Sequence, residues 1–193
     1  DNVFVSGVTN RDYYKTATLK CLYDNGYQYN WTIMATDGAS NSSWASVRRF
    51  NMTAVLDISL PVDKIDFGKI SHLAANNTTT NSPPPFVIRN DGNSFVNVSI
   101  NATRLWLTQA GASNYYMFKV DNVTSELFSF FWRDSTTAFT QLPLVAVTGA
   151  SIAALNYSDP TDSAEIDLLV QVPDNEPAGL RNSTVFFTSS LGE

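Results

Sequence analysis

The sequence predicts an all-β protein built as a β-sandwich, and three observations make the prediction. Apolar residues recur with a period of two, the spacing that places alternate side chains on one face of a strand. Turn chemistry recurs at short intervals, as in Asp24-Asn25-Gly26, Asp37-Gly38 and Asn90-Asp91-Gly92-Asn93. No long segment carries the 3.6-residue period of an amphipathic helix.

The clearest stretch is Pro83 to Trp106. Phe86, Val87 and Ile88 follow three prolines, and Asn90 to Asn93 reads as a tight turn, with Gly92 able to take a positive φ. Val96, Val98 and Ile100 then alternate with Asn97, Ser99 and Asn101, one face written for a core and the other for solvent. The expectation is a hairpin.

Along the chain, residues 1–10 (DNVFVSGVTN) hold Val3, Phe4, Val5 and Val8 on a polar background. They read either as an ordinary edge strand or as an N-terminal strand that completes a neighbour's sheet. Residues 15–22 read as a strand with Ala17, Leu19 and Cys21 on one face. From Tyr27, the residues Tyr29, Trp31, Ile33 and Ala35 are expected inward, with Asn30 outward, and Trp44 to Phe50 is the returning strand. Further strands are expected at Val55–Leu60, at Asp66–Ile70 with a bend, at Tyr115–Val120 and at Leu127–Trp132. Residues 71–85 are expected as an exposed loop. A weaker strand falls at Leu142–Val147 and a helical turn at Ala150–Leu155. Glu165–Val172 is written with Ile166, Leu168, Val170 and Val172 inward, and Arg181–Ser190 with Val185 and Phe187 inward.

Composition bounds the function classes. The chain has 193 residues, 44% hydrophobic and only 16% charged, with a net charge of -6. That length allows one large or two small domains with a packed core. An acidic chain without a basic run is not expected to bind nucleic acid. No apolar stretch approaches the ~18 residues that span a bilayer, so no transmembrane segment is expected. The chain opens on Asp1 without an apolar leader, so a secreted form implies processing ahead of it. Asn30, Asn41, Asn51, Asn76, Asn77, Asn97, Asn101, Asn122, Asn156 and Asn182 each head an N-x-S/T triplet. Chance gives roughly three or four in such a composition, so covalent N-glycans and an extracellular or cell-surface location are expected. Cys21 stands alone, a buried small hydrophobe or a residue whose partner lies elsewhere.

Two resemblances follow from these residues. Tyr29-x-Trp31, then Ala35-Thr36-Asp37-Gly38, a serine-rich turn and Arg49-Phe50 resemble the last two strands of a fibronectin type III or immunoglobulin-like module. A whole module takes roughly 90–100 residues, so residues 1–52 are expected to be a partial one. Asp66-Phe67-Gly68, the run from Pro85 to Trp106, and Val172-Pro173-x-x-Glu176-Pro177-Ala178-Gly179 resemble immunoglobulin-like β-sandwich domains of archaeal secreted and cell-surface proteins, found in S-layers, adhesins and extracellular filaments. The resemblance implies a complete sandwich over 53–193 and a location, not an activity.

No catalytic constellation is written in the chain. His72 is the sole histidine, there is no G-x-S-x-G, and zinc lacks ligands. An enzyme and an obligatory cofactor are not expected. Asp159, Asp162, Glu165 and Asp167 form an acidic run that reads either as a solvated loop or as oxygen ligands for a structural Ca²⁺. The expected function is a non-enzymatic structural subunit whose partners are copies of itself in a homopolymer, joined by strand exchange or sheet-edge complementation. The alternative is an adhesin or carbohydrate-binding module, with Trp44, Trp106 and Trp132 stacking on sugar rings.

Overall fold

The computed structural model describes residues 28–36 and 38–192. The chain is all-β, with antiparallel sheets and a single turn of 3₁₀ helix at Trp132–Asp134 among the described residues. It divides into two compact units that part between Ala54 and Val55.

In the first unit, β1 (Gln28–Trp31) pairs antiparallel with β2 (Arg48–Asn51). Register partners Tyr29 and Phe50 stack with ring centroids 5.4 Å apart. The expected inward set is not realised. Trp31, Ile33 and Ala35 are exposed, and no described side chain between 29 and 54 is buried. The strand ends at Trp31, and among the described residues of this unit no second layer faces the hairpin.

The second unit contains two sheets. One runs β3 (Ile58–Val62), β5 (Phe86–Asn90), β10 (Ser163–Gln171), β7 (Tyr116–Asn122) and β8 (Thr140–Gln141), with β4 (Ala75–Asn77) also paired to β10. The other runs β11 (Val185–Leu191), β6 (Val96–Ala102) and β9 (Ile152–Leu155). β5 holds the first half of β10 and β4 the second, while β7 lines its opposite edge from Ala164 to Val170. The core lies between the sheets. Ile88, Val96, Val98, Ile100, Val120, Leu142, Ile152, Leu155 and Ile166 are fully buried. The alternating positions of β6, β7 and β10 face it as their period of two requires.

The stretch from Pro83 to Trp106 is not a hairpin. β5 and β6 lie in different sheets, so residues 91–95 form an arch across the sandwich. The turn bonds elsewhere than to itself. Asp91 N–H donates to Asp57 O (3.0 Å) and Asn93 N–H to Val55 O (3.2 Å). The buried Asn90 amide donates to Ser94 O (2.8 Å) and Leu155 O (3.0 Å), tying the arch to β9. Gly92 does not adopt a positive φ. It is needed because a Cβ there would lie 2.2 Å from Val55 O.

Other elements also differ from expectation. Leu127–Trp132 is a turn with Phe128 at φ 66°, not a strand, and Ile152–Leu155 is a strand, not a helical turn. Asp66–Ile70 is irregular, and the loop at 71–85 contains β4.

Candidate functional site

Among the described residues of the second unit, part of the core is left uncovered. A groove of about 860 Å³ lies where the inner faces of β5 and β10 meet the inner face of β11. Its floor is Phe86, Leu168 and Val170, buried residues of the core. Its walls are Leu60, Ile65, Phe67 and Ile70 with Val185 and Phe187, which pack on the core yet are only half-buried. Phe187 meets Phe86 edge-on with centroids 5.6 Å apart. Among the described residues β11 is an outer strand of its sheet, and its Val185 and Phe187 line this apolar cleft.

One end of the groove is held by a polar latch. Glu176 is buried and accepts hydrogen bonds from Leu107 N–H (3.1 Å), Thr108 N–H (3.0 Å), Thr108 Oγ1 (2.7 Å) and Arg181 Nε (2.5 Å). Burial pushes its pKa up, but these donors outweigh it and bring the carboxyl down to about 2. Arg181 also donates to Pro177 O (2.6 Å) and Leu180 O (2.9 Å), so one guanidinium fixes the turn of the loop 173–181. The sequence motif Val172-Pro173-x-x-Glu176-Pro177-Ala178-Gly179 contained this carboxylate as a turn position only. His72, on the rim, places Nε2 against Asp174 O and 3.8 Å from Asp174 Oδ1.

The acidic run does not converge. Among the described residues no three histidine, cysteine or acidic side chains are grouped to hold a metal ion. Asp159 and Asp162 lie at the β10 start beside Glu126, whose carboxylate accepts Ser163 N–H (2.9 Å). Burial, then a shared hydrogen bond with Asp159 and the nearby Glu126 charge, raise Asp162 to about 6. Asp167 is buried further along β10, where Thr78 Oγ1 donates to it (2.6 Å) and Lys119 Nζ lies 3.2 Å from it. Lys119 also pairs with Asp121. Glu165 is held above its ordinary pKa by burial and by the charges of Asp167 and Asp121.

The sequons fall into two sets. Asn30, Asn41, Asn51 and Asn182 are exposed, whereas Asn76, Asn77, Asn97, Asn101, Asn122 and Asn156 are half-buried. Asn97 and Asn101 do lie on the face of β6 away from the core, but that face is not open solvent. β6 is the central strand of its sheet, and Asn97 Oδ1 accepts Ala154 N–H (2.9 Å). Asn156 caps its own turn, accepting from Tyr157 and Ser158 N–H and donating to Thr161 Oγ1 (2.9 Å).

The tryptophans separate in the same way. Trp106 is buried and its indole N–H donates to Tyr115 O (3.0 Å), so it is a core residue. Trp44 is exposed, and Trp132 stacks on Phe130 while staying half open, beside exposed Leu127, Phe128 and Phe131. Val3, Phe4, Val5, Val8 and Cys21 lie outside the described residues.

No helix among the described residues is long and apolar enough to cross a membrane. No protein-family model, curated protein or solved structure matches the chain.

Proposed function

We propose that the chain is a non-enzymatic structural subunit of an extracellular assembly, a filament or surface layer, whose copies join by sheet-edge complementation. The observation that carries the reading is the core of the second unit that the described residues leave uncovered beside β11, an edge strand among them. An unpaired edge with an apolar cleft behind it is a template for another strand, and soluble domains ordinarily blunt such edges. The ten sequons and the low charge support an extracellular setting and an N-glycosylated surface. The motifs that resemble archaeal secreted and cell-surface sandwich domains point the same way.

Negative-stain electron microscopy of the native, unfractionated material tests it. Regular fibres or sheets with a repeat near one subunit's length are expected. Dispersed monomeric particles would overturn it.

A second reading, an adhesin or carbohydrate-binding module, is favoured by one feature. Leu127, Phe128, Phe131 and Trp132 are each exposed within residues 127–132, Phe128 to 88%. Flat aromatic surfaces of this kind stack on sugar rings. A glycan array probed with the full chain separates the two readings. Specific binding lost in Trp132→Ala selects the second.

A further inference from the structure

We propose that the groove is the acceptor site of the assembly and that its occupant is residues 1–10 of a second copy, laid as an added strand along the free edge of β11. The inference rests on the assembly reading above and specifies which surface and which segment perform it.

The deficit in burial has a definite place. β11 is paired to β6 along all seven residues, Val185 to Leu191, and is the end strand of its sheet among the described residues. Val185 and Phe187 are half-buried although their register partners Ala102 and Ile100 are buried. Across the cleft Leu60, Ile65, Phe67 and Ile70 show the same half-burial, while the centre of the core is closed. Among the described residues, what is missing is a layer of apolar side chains next to an unpaired backbone edge, that of β11.

That pair of vacancies selects the kind of occupant. A small apolar molecule would fill the cleft and leave the N–H and C=O groups of the edge unpaired. A helix would cover the cleft and do the same. A strand supplies the ladder and, at alternate positions, the side chains.

Residues 1–10 fit these demands. Val3 and Val5 stand two apart, so both enter the cleft when the segment is extended. The segment has no proline, so every N–H can join a ladder. Its one formal side-chain charge before Arg11 is Asp1, at its end, and it carries no sequon. Residues 11–27, by contrast, hold Arg11, Asp12, Lys15, Lys20 and Asp24. Seven extended residues span about 23 Å, the length of β11. Because donor and acceptor are different surfaces of one chain, the contact is head-to-tail and propagates into an open polymer.

The test uses the full chain in two complementary variants. The donor-defective form is Val3→Asp with Val5→Asp, and the acceptor-defective form is Ile70→Glu with Val185→Glu. Size-exclusion chromatography is read beside the wild type. The wild type polymerises, each variant alone stays monomeric, and an equimolar mixture gives a discrete dimer, since it offers one working donor and one working groove. Polymers from either variant alone, or a mixture that stays monomeric while the wild type polymerises, overturn the proposal and leave the assembly reading standing. A wild type that never assembles takes down both.

Circular dichroism melting reports whether the acceptor variant folds. If it does not, a cross-linking arm replaces it. Val5→Cys and Val185→Cys are placed on separate full chains with Cys21→Ser and joined by a short bifunctional maleimide. A heterodimer band is expected, and its absence overturns the proposal.

Discussion

At the scale of single residues, neighbouring atoms decide what a sequence motif can do. Asn76 and Asn77 head overlapping sequons, yet their hydroxyl residues differ. Thr78, which serves Asn76, is fully buried and its hydroxyl donates to Asp167. Thr79, which serves Asn77, is exposed and its hydroxyl lies 2.5 Å from Asn77 Oδ1. Peptide mapping by mass spectrometry of native material is expected to find glycan at Asn77 and a bare Asn76. It is also expected to find Asn156 unmodified, because its amide closes the turn that runs to Thr161. Gly92 is a second case. A methyl group there meets Val55 O at 2.2 Å, and carbonyl oxygens of the backbone do not give way as side chains do. Gly92→Ala is expected to cost about 1–3 kcal/mol of unfolding free energy, read by urea titration.

At the scale of elements, a period of two was readable, while the assignment of a strand to a sheet was not. The inward sets of β6, β10 and β11 follow from alternation alone, and Val96, Val98, Ile100, Ile166, Leu168 and Val170 are buried as their spacing predicts. Alternation says which face a residue occupies, and it is the same whether the next strand pairs in-sheet or crosses the sandwich. Asn90-Asp91-Gly92-Asn93 therefore read as a hairpin and proved to be an arch, because the bonds that fix it run to Val55, Asp57 and Leu155, distant in sequence. The groove was illegible for the same reason. Its floor and walls together come from four separate stretches, 60–70, 86, 168–170 and 185–187, and Leu60 or Phe67 carries no local sign that its outer side is half open. The buried polar face of β10 was missed too. Asp167 was grouped with its sequence neighbours, whereas its partners are Thr78 and Lys119 on flanking elements. Asp167→Ala removes one carboxylate and leaves the Lys119 ammonium, 17% exposed at its side chain, facing Asp121 alone. A loss of about 2–4 kcal/mol is expected by chemical denaturation. Lys119→Met in the same background should restore part of it.

At the scale of the whole molecule, the second unit carries two buried carboxylates whose pKa values move in opposite directions, and together they set its response to pH. Asp162 lies above its ordinary value, at about 6, because burial and the neighbouring Asp159 and Glu126 disfavour its charge. The folded state therefore holds that proton more tightly than the unfolded chain does. Its charge costs stability at neutral pH, and the cost is relieved as pH falls from above 6 to the ordinary carboxylate range. Glu176 lies below its ordinary value, at about 2, because its four donors outweigh the cost of burial. Its contribution is complete above the ordinary glutamate range and is lost as pH falls toward 2. Asp91, lowered first by Ser59 and then by Arg89, acts in the same direction as Glu176, and Glu165, raised by burial, acts with Asp162. The melting temperature of the full chain is thus expected to climb between pH 7 and about pH 4.5, then fall below it. Each limb belongs to a different residue. Asp162→Asn should flatten the rise and raise the melting temperature at pH 7. Glu176→Gln should lower the unfolding free energy by about 2 kcal/mol at pH 7 and flatten the acid decline. A melting temperature that decreases monotonically from pH 7 to pH 3, unchanged in shape by Asp162→Asn, would show that the cluster at the start of β10 is open to water and carries no such linkage.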